Sequence, residues 1–439
     1  MAGEAGSKSG FHYAFLIVAA GVAITCVPCA CVLSCAGIFF TPVANYFAVP
    51  KAQVSLYFSI LNLAMMVMLP IAGKLMERFD LRIVLSACVL VDGFTYLAMS
   101  QFGAVWMFYV AGALLGLGTA PLIYLAIPTL INNWCKQKVG FFIGLCMAFT
   151  GIGGVIFNPL GTAFINAGPD GWRMGYLVLG AIILVATLPF TLFVVRTRPS
   201  DKGLLRYGES PDALGAVGSG SAEDGASEGV TRESASQAVT GVPATRAMKS
   251  AAFAALAVYA FLITGNQQVY QFFASYCQSF TGTEIALAAG AVAGACMAGQ
   301  ALAKVVLGAI NDKSARAGLA VGISCGIAGI ALMWVAPLQI VLLMIGSFLF
   351  GFAYACNAVE IPMLTRAAFG ELDYLDIYSK LAMASAFGGV VATTLWGFII
   401  DMPGGYSLMF GISIAVMALC AVLGFAGMSR GQKMEHVSR

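Results

Sequence analysis

The chain has 439 residues, of which 60% are hydrophobic and only 10% are charged, and its formal net charge is +3 at pH 7. Soluble globular domains carry about 25% charged residues, because their surfaces face water. This composition excludes a water-soluble enzyme of this size and predicts a membrane protein whose exterior is covered mostly by lipid.

Twelve apolar segments of membrane-spanning length follow one another along the chain. A helix needs about 20 apolar residues to cross the hydrocarbon core, and a helix pairs every backbone group within its own span. We therefore predict an all-α membrane protein with twelve transmembrane helices. The predicted spans are residues 14–40, 53–75, 83–101, 104–131, 140–167, 175–195, 251–279, 285–309, 317–336, 339–363, 379–400 and 406–428.

The composition changes abruptly between the sixth and seventh predicted spans. Residues 211–245 are rich in Gly, Ser, Ala and Glu and contain almost no large apolar side chains, so they lack the surface needed to form a core. We predict an N-terminal six-helix bundle over residues 1–195, a flexible cytoplasmic linker over 196–249, and a C-terminal six-helix bundle over 250–439.

Basic residues are distributed unequally between the two sides of the predicted membrane. With the N-terminus inside, twenty lysines and arginines lie in cytoplasmic segments, whereas Lys51 and Arg173 are the two on the opposite side. Cytoplasmic loops of membrane proteins are enriched in Lys and Arg. We therefore expect a multi-pass protein of the inner (cytoplasmic) membrane with both termini in the cytoplasm.

Two turns at equivalent places in the two halves share one pattern. The turns after the second and eighth predicted spans both read glycine, any residue, Leu or Ile, any residue, an acid and a base. The repeat predicts two six-helix units related by an axis along the membrane normal. Glycine lets neighbouring helices approach, and we expect the acid and base to hold helix ends together until the two halves move apart. The residues of this predicted gating loop are Gly73, Glu77, Arg78, Gly308, Asp312 and Lys313.

These turns resemble the signature loop of the major facilitator superfamily, and the twelve-span pattern resembles that family over the whole chain. Four further motifs resemble its branch of oxalate/formate antiporters and monocarboxylate transporters, which has a substrate-binding arginine where this chain has Lys304. The resemblance implies a secondary transporter whose two halves move about a central anion site. The four motifs are Tyr124 with Trp134, residues 171–173, residues 198–204, and Lys304 with Gly308.

Lys304 is the one Lys or Arg that we place well inside a predicted helix. A cation at that depth costs several kcal/mol unless it meets water, an anion or a carboxylate. We interpret it as the anchor for the carboxylate of an organic anion; the alternative is a lysine whose long stem extends to the headgroups. A single central cation suits a monoanion better than a dianion.

The seventh predicted span contains an unusually polar stretch, residues 266–271. Gln267, Tyr270 and Gln271 fall on one helical face, and their amide and phenol groups can donate hydrogen bonds to a carboxylate. The alternative is hydrogen bonding between helices that only stabilises the bundle. Tyr124 matches a cavity-facing tyrosine of the resembled branch, and Asn357 is a weaker candidate for the same cavity.

Two carboxylates lie inside predicted helices, Asp92 in the third and Glu360 in the tenth. A buried acid can hold a proton at neutral pH and could carry it across the membrane. Glu360 could instead pair with Lys304 when the site is empty, and Asp92 could be purely structural. We hypothesise a coupling role for both.

The sequence gives no signal for a metal site, a cofactor or an ATP-driven mechanism. Nearly all of the twelve cysteines lie in apolar segments, and we interpret them as packing residues. No Gly-Lys-Ser/Thr phosphate loop follows a strand, and His12 and His436 lie near the chain ends. We expect no cofactor and no nucleic-acid partner; the expected partners are the substrate and the bilayer, and the expected functional unit is a monomer.

The sequence thus predicts a secondary active transporter of a small organic anion, as an antiporter or a proton symporter. Two alternatives stay open. The Met- and Phe-rich core also suits an exporter of drugs or other largely apolar solutes, and the same fold could serve as a transport-inactive sensor or scaffold. Binding of carboxylates against hydrophobic cations separates the first two, and any substrate flux excludes the third.

Overall fold

The computed structural model describes residues 12–208, 240–435 and 437–438 of the chain. Within these residues, twelve helices are long and apolar enough to cross a membrane, which confirms the predicted fold and identifies a multi-pass membrane protein. They are α1 Ala14–Phe47, α2 Lys51–Arg78, α3 Leu81–Met99, α4 Val105–Trp134, α5 Val139–Ile165, α6 Gly171–Val194, α7 Ala251–Gln278, α8 Ala289–Asn311, α9 Ala315–Val335, α10 Ile340–Phe369, α11 Tyr374–Ile400 and α12 Gly405–Gly431.

Each predicted span corresponds to one helix, but several helices extend beyond the apolar run. α10 continues past the predicted residue 363 to Phe369, because a helix keeps its backbone bonds when it leaves the hydrocarbon. It ends where Gly370 takes φ +75°, a conformation that glycine adopts without strain.

The packing of the helices repeats between the two halves, α1–α6 and α7–α12. α2 packs on α4 and α3 packs on α6; the equivalent pairs in the second half, α8 with α10 and α9 with α12, pack in the same way. The halves meet through α5 with α8 and through α2 with α11. When the helices of the two halves are matched in order, α5 corresponds to α11 and α8 corresponds to α2. Each of the two interfaces is therefore the counterpart of the other, and the contact pattern has approximate two-fold symmetry.

Four spans contain local departures from α-helical geometry. Proline lacks the backbone N–H that an α-helix needs, so prolines accompany three of these departures. The departures are π-helical turns at Thr25–Cys29 in α1, Pro121–Ala126 in α4 and Phe190–Val194 in α6, a break at Cys35 in α1, and a 3₁₀ turn at Gln268–Phe272 in α7.

Short elements join the spans. A 3₁₀ turn at Pro199–Lys202 follows α6, and short helices lie at Ala244–Ala247 and Glu284–Leu287. Strand β1, Thr240–Gly241, pairs antiparallel with β2, Val437–Ser438.

The sequence predicts a flexible linker up to residue 249, but its last ten residues form regular structure. Gly241 bridges to Gly370 in the α10–α11 loop, and the Val242 amide donates to the Phe369 carbonyl at 2.7 Å. Glycine at both bridge positions allows this close approach, since a Cβ at Gly370 would meet the backbone of Thr240. Residues 209–239 of the predicted linker lie outside the described residues.

The other end of the linker is attached to the N-terminal half. The Tyr207 amide donates to the Trp134 carbonyl at 2.8 Å, and the Lys136 amide donates to the Tyr207 carbonyl at 2.9 Å. The start of the linker therefore belongs to the end of α4, just as its last residues belong to the α10–α11 loop.

Candidate functional site

An even number of spans places the start of α1 and the end of α12 on one side of the membrane, which we call the terminal side; the opposite side is the far side. Near mid-membrane, α1 breaks at Cys35, and a helix end leaves its last carbonyls without partners. Gln271 Nε2 donates to the Leu33 carbonyl at 2.9 Å, and the Tyr270 hydroxyl donates to the Ser34 carbonyl at 2.5 Å. The break in α1 thus creates acceptors for side chains of α7.

A proline creates a third acceptor for α7 further along α1. Pro42 has no N–H, so the carbonyl of Ile38 lacks its helical donor, and Gln278 Nε2 donates to it at 3.2 Å. Between these bonds, Gly37 packs directly against the backbone carbonyl of Gln271. The absence of a side chain at Gly37 permits this contact.

Asp401, at the end of α11, caps the first turn of α2 in the other half. Its carboxylate accepts hydrogen bonds from the Lys51 and Ala52 amides at 3.2 and 2.8 Å, which are two of the donors that a helix start leaves unpaired. The Lys51 ammonium donates to the Tyr406 hydroxyl at 2.8 Å. These bonds, with those between α1 and α7, close the far side.

The α5–α8 interface shows where the halves separate. A Cβ added at Gly151 of α5 would lie 2.8 Å from both Met297 and Ala301 of α8. The same stripe of α8 continues one turn later with Lys304 and then Gly308. A Cβ at Gly308 would have no atom within 4 Å. Lys304 therefore lies where the tight contact between the halves ends and open space begins.

The register of α8 against α10 sets the level of Lys304 in the membrane. Gly299 packs against the Phe348 carbonyl, and Asn311 Nδ2 donates to Glu360 Oε1 at 2.8 Å. In each pair, the residue of α10 lies 49 positions after its partner in α8. The same offset from Lys304 leads to the turn of α10 that carries Tyr354, so Lys304 lies beside that turn.

Tyr124 lines the space between the halves. It lies deep in α4, yet 53% of its surface is exposed. It lies near Tyr354 of α10 and Tyr378 of α11, so it faces the C-terminal half. Lys304, Tyr354 and Tyr124 thus border one central space from three helices.

The polar stretch of α7 does not act as a single face. The 3₁₀ turn after Gln267 rotates the residues that follow it. Tyr270 and Gln271 are buried against α1, whereas Gln267 accepts a hydrogen bond from Asn357 Nδ2 at 2.7 Å. All three residues therefore make contacts between helices, but Gln267 bonds to α10 rather than to α1 and stays on the side of the central space with Asn357.

Lys304 is partly exposed and has no hydrogen bond or ion pair with any described residue. The hypothesised pair with Glu360 does not form within these residues, because Glu360 is fully buried between α8 and α10 and accepts from Asn311. Its second oxygen has no described partner. The cation of the central space is thus left available to a ligand.

Asp92 is buried inside the N-terminal half, away from the central space. Its Oδ2 accepts from the Thr119 hydroxyl of α4 at 3.0 Å, and Oδ1 packs against Gly118. This arrangement joins α3 to α4. The contacts of both carboxylates are therefore within one half each.

The predicted gating loop lies at the terminal side. Gly73 and Gly308 both have open space where a Cβ would be, and Asp312 and Lys313 are exposed without an ion pair to a described residue. Arg78 is exposed and lies over the Phe79 ring, while the side chain of Glu77 is outside the described part of the structure. Among the described side chains of the two loops, no ion pair holds the terminal side closed.

A separate cavity of about 770 Å³ lies at the terminal-side ends of α10 and α11. It contains one basic side chain, Arg366, which is already paired with Glu371. Asp373 accepts from the Ala244 amide at 2.8 Å in the same cavity. Because its cation is paired and carboxylates line it, this cavity does not suit an anion.

Sequence reasoning missed three groups that the structure brings forward. Tyr354 lies one turn before Asn357 on α10, and this i, i+3 spacing was the available signal. Ser385 joins the hydrogen bonds of Asn357, and Asp401 caps α2. No local sequence signal identifies the last two, because their partners lie on other helices.

Known protein sequences resemble this chain over most of its length. A family model described as Major Facilitator Superfamily matches residues 22–371. The Probable sulfoacetate transporter SauU of Cupriavidus necator is 26% identical over 393 residues, which cover 84% of each chain. The more specific oxalate/formate and monocarboxylate branch stays a prediction.

Solved structures show the same fold. A variant of the nucleoside transporter NupG has a TM-score of 0.71 at 14% identity, covering 95% of this chain and 100% of that one. A bacterial homologue of the human lysosomal transporter Spinster, in an inward-facing and unoccupied conformation, has a TM-score of 0.71 at 15% identity, covering 98% and 99%. At these identities the likeness concerns the fold alone.

Proposed function

Because this chain belongs to the major facilitator superfamily, we propose that it is a secondary active transporter of a small organic anion. The anion is a carboxylate or sulfonate that binds Lys304 in the central space. The two halves rock about this site, so that it opens to one side of the membrane at a time. The protein acts as a monomer in the cytoplasmic membrane with both termini in the cytoplasm, as its distribution of basic residues supports.

The observation that carries the proposal is the position of Lys304. An ammonium group at mid-membrane needs a partner or water to offset its desolvation, and the described residues supply no partner for this one. Gln267, Asn357, Tyr354 and Tyr124 add neutral donors around the same space. One cation among neutral donors attracts a small anion and repels cations.

The relative from Cupriavidus necator supports an anionic substrate. That relative is described as a probable transporter of sulfoacetate, a two-carbon molecule with a carboxylate and a sulfonate. A similar substrate here would place one anionic group on Lys304, and neutral donors would have to hold the other.

The contacts of the far side support alternating access. The bonds from α7 to α1 and from α11 to α2 are polar and lie between mid-membrane and the far side, whereas both gating-loop glycines are open at the terminal side. With the termini in the cytoplasm, this conformation faces inward. Opening the far side requires breaking these hydrogen bonds together with buried apolar contacts between the halves, such as that of Phe40 in α1 with Phe272 in α7.

The test is uptake of labelled acetate, glycolate and sulfoacetate by proteoliposomes that contain the purified protein. A charge-assisted hydrogen bond contributes about 1.5–3 kcal/mol, so Lys304→Ala should weaken apparent affinity by about ten- to a hundredfold, and Lys304→Arg should retain part of it. Lys433→Gln removes one exposed lysine after α12 and serves as the control. Undiminished uptake by a stably folded Lys304→Ala variant contradicts the anchor role.

Two further measurements separate the remaining alternatives. Counterflow with and without a pH gradient distinguishes anion exchange from proton symport, since only symport responds directly to the gradient. Competition by hydrophobic cations, with none by carboxylates, would instead indicate an exporter of apolar solutes. No flux with any solute would favour a sensor.

A further inference from the structure

A chain of hydrogen bonds links α11, α10 and α7 beside the central space. The hydroxyls of Thr264 and Ser385 lie 2.9 and 3.0 Å from Asn357 Oδ1 and 2.7 Å from each other, and Thr264 also lies 2.8 Å from the Ala260 carbonyl, so the two hydroxyls share their protons among these acceptors. Nδ2 of the same amide donates to Gln267 Oε1 at 2.7 Å. The side chain of Gln267 in turn lies near the phenol of Tyr354. Four side chains from three helices therefore form one connected network that ends close to Tyr354.

The network has a direction. A primary amide accepts at its oxygen and donates at its nitrogen. Because two hydroxyls approach the oxygen of Asn357, its NH₂ group is turned toward Gln267. Gln267 uses its own oxygen for that bond, so its NH₂ group remains as a donor without a hydrogen bond to a described residue. Successive bonds of this kind polarise one another.

The donor end of the network lies at the same depth in the membrane as Lys304. The α8–α10 register places Lys304 beside the turn that carries Tyr354. The opposite end is enclosed, because Thr264 and Ser385 are 6% and 8% exposed. The two hydroxyls are therefore largely shielded from the central space. They influence a ligand there indirectly, by fixing the orientation of the Asn357 amide.

We propose that Thr264 and Ser385 are positioning residues that fix this direction, so that the site recognises a second oxygen-bearing group on its anionic substrate. The inference rests on the proposed function. Lys304 holds one anionic group, and the NH₂ of Gln267 and the hydroxyl of Tyr354 donate to an oxygen elsewhere on the same small molecule. The substrate class is a short carboxylate or sulfonate with a further hydroxyl, carbonyl, carboxylate or sulfonate group, and simple alkyl carboxylates are disfavoured.

An isosteric variant tests the role of Thr264. Thr264→Val keeps the shape and removes the hydroxyl, whereas Thr264→Ser restores the hydroxyl and serves as the matched control. The probes are acetate, which lacks a second oxygen group, and glycolate and sulfoacetate, which have one. The readouts are KM and kcat in proteoliposomes containing the full chain, with thermal unfolding in detergent as the check on folding.

The expected result is a change in selectivity. Loss of an oriented neutral donor weakens binding of an oxygen acceptor about three- to tenfold, so Thr264→Val should raise KM for glycolate and sulfoacetate by that factor. KM for acetate and all kcat values should stay within about twofold, and Thr264→Ser should resemble the native chain. Ser385→Ala should reproduce the pattern, and it replaces Thr264→Val if that variant does not fold.

Two results overturn the inference. One is an equal rise in KM for all three probes, which indicates a structural role only; the other is an unchanged preference in both hydroxyl variants. In either case, uptake that still depends on Lys304 leaves the proposed function intact. Uptake of acetate, glycolate and sulfoacetate that is absent, or independent of Lys304, overturns both.

Discussion

The cap that Asp401 gives to α2 lets one side chain influence the balance between two conformations. In the far-side-closed state its carboxylate accepts from the Lys51 and Ala52 amides. Opening the far side separates α11 from α2, so these bonds exist in one state only. A substitution at Asp401 should therefore destabilise the closed state without a matching effect on the open state.

The size of the effect follows from the geometry. Replacing an N-cap aspartate by alanine costs about 1 kcal/mol, and the exposure of Asp401 argues against a larger value. A difference of about 1 kcal/mol changes the ratio of the two states about fivefold. Asp401→Asn keeps one of the two acceptor oxygens but loses the other, along with the attraction between its charge and the helix dipole, so we expect a change between about twofold and about fivefold.

Hydrogen exchange followed by mass spectrometry measures this balance without new cysteines. Far-side opening breaks the contacts of α1 and α7 as well, so peptides covering residues 30–42 and 268–280 should exchange about fivefold faster in Asp401→Ala. The matched control is Asp170→Ala, because Asp170 is a far-side acid that pairs with Arg173 in its own half. Faster exchange at residues 48–56 alone indicates local fraying and refutes the coupling, as does an equal response to Asp170→Ala.

Two further substitutions test contacts described above. Gly37→Ala places a methyl group against the Gln271 carbonyl, and such overpacking costs about 1–3 kcal/mol. The same hydrogen-exchange assay should therefore show a more open far side. Gly103→Ala is the control, because its added methyl group meets open space. Glu360→Gln keeps an acceptor for Asn311 and should unfold close to the native temperature, whereas Glu360→Ala leaves that buried donor unpaired and should lose about 1–3 kcal/mol of stability. Thermal unfolding in detergent checks the second pair; equal melting of the two Glu360 variants would show that the hydrogen bond contributes nothing.

The fold was predictable because lipid imposes a simple rule on the chain. Each span needs a long apolar run, and such runs are visible in the sequence without knowledge of their neighbours. Lys304 was visible for the same reason, since a charge inside such a run is rare. The length of α10 was less visible, because its last residues pair their backbone outside the apolar run.

The partners of the polar side chains were less accessible to sequence reasoning. Tyr270 and Gln271 form hydrogen bonds to α1 because that helix breaks at Cys35. The residues around Cys35 contain no pattern that predicts a break. The partner of Asp401 depends on which side of the molecule is closed, and this is a property of a conformation. Helical periodicity gives the face of a residue but not the element that it meets.

The two anchored ends of the linker have a consequence for how the chain is joined. Tyr207 is bonded to the end of α4, and Thr240 and Gly241 are bonded to the α10–α11 loop and to β2. Residues 209–239 join these two anchored ends, and a fully extended chain of that length spans about 100 Å. Because each end is bonded within its own half, we expect the halves to associate without a covalent link: two separately expressed polypeptides, divided within this segment, should assemble into a working carrier.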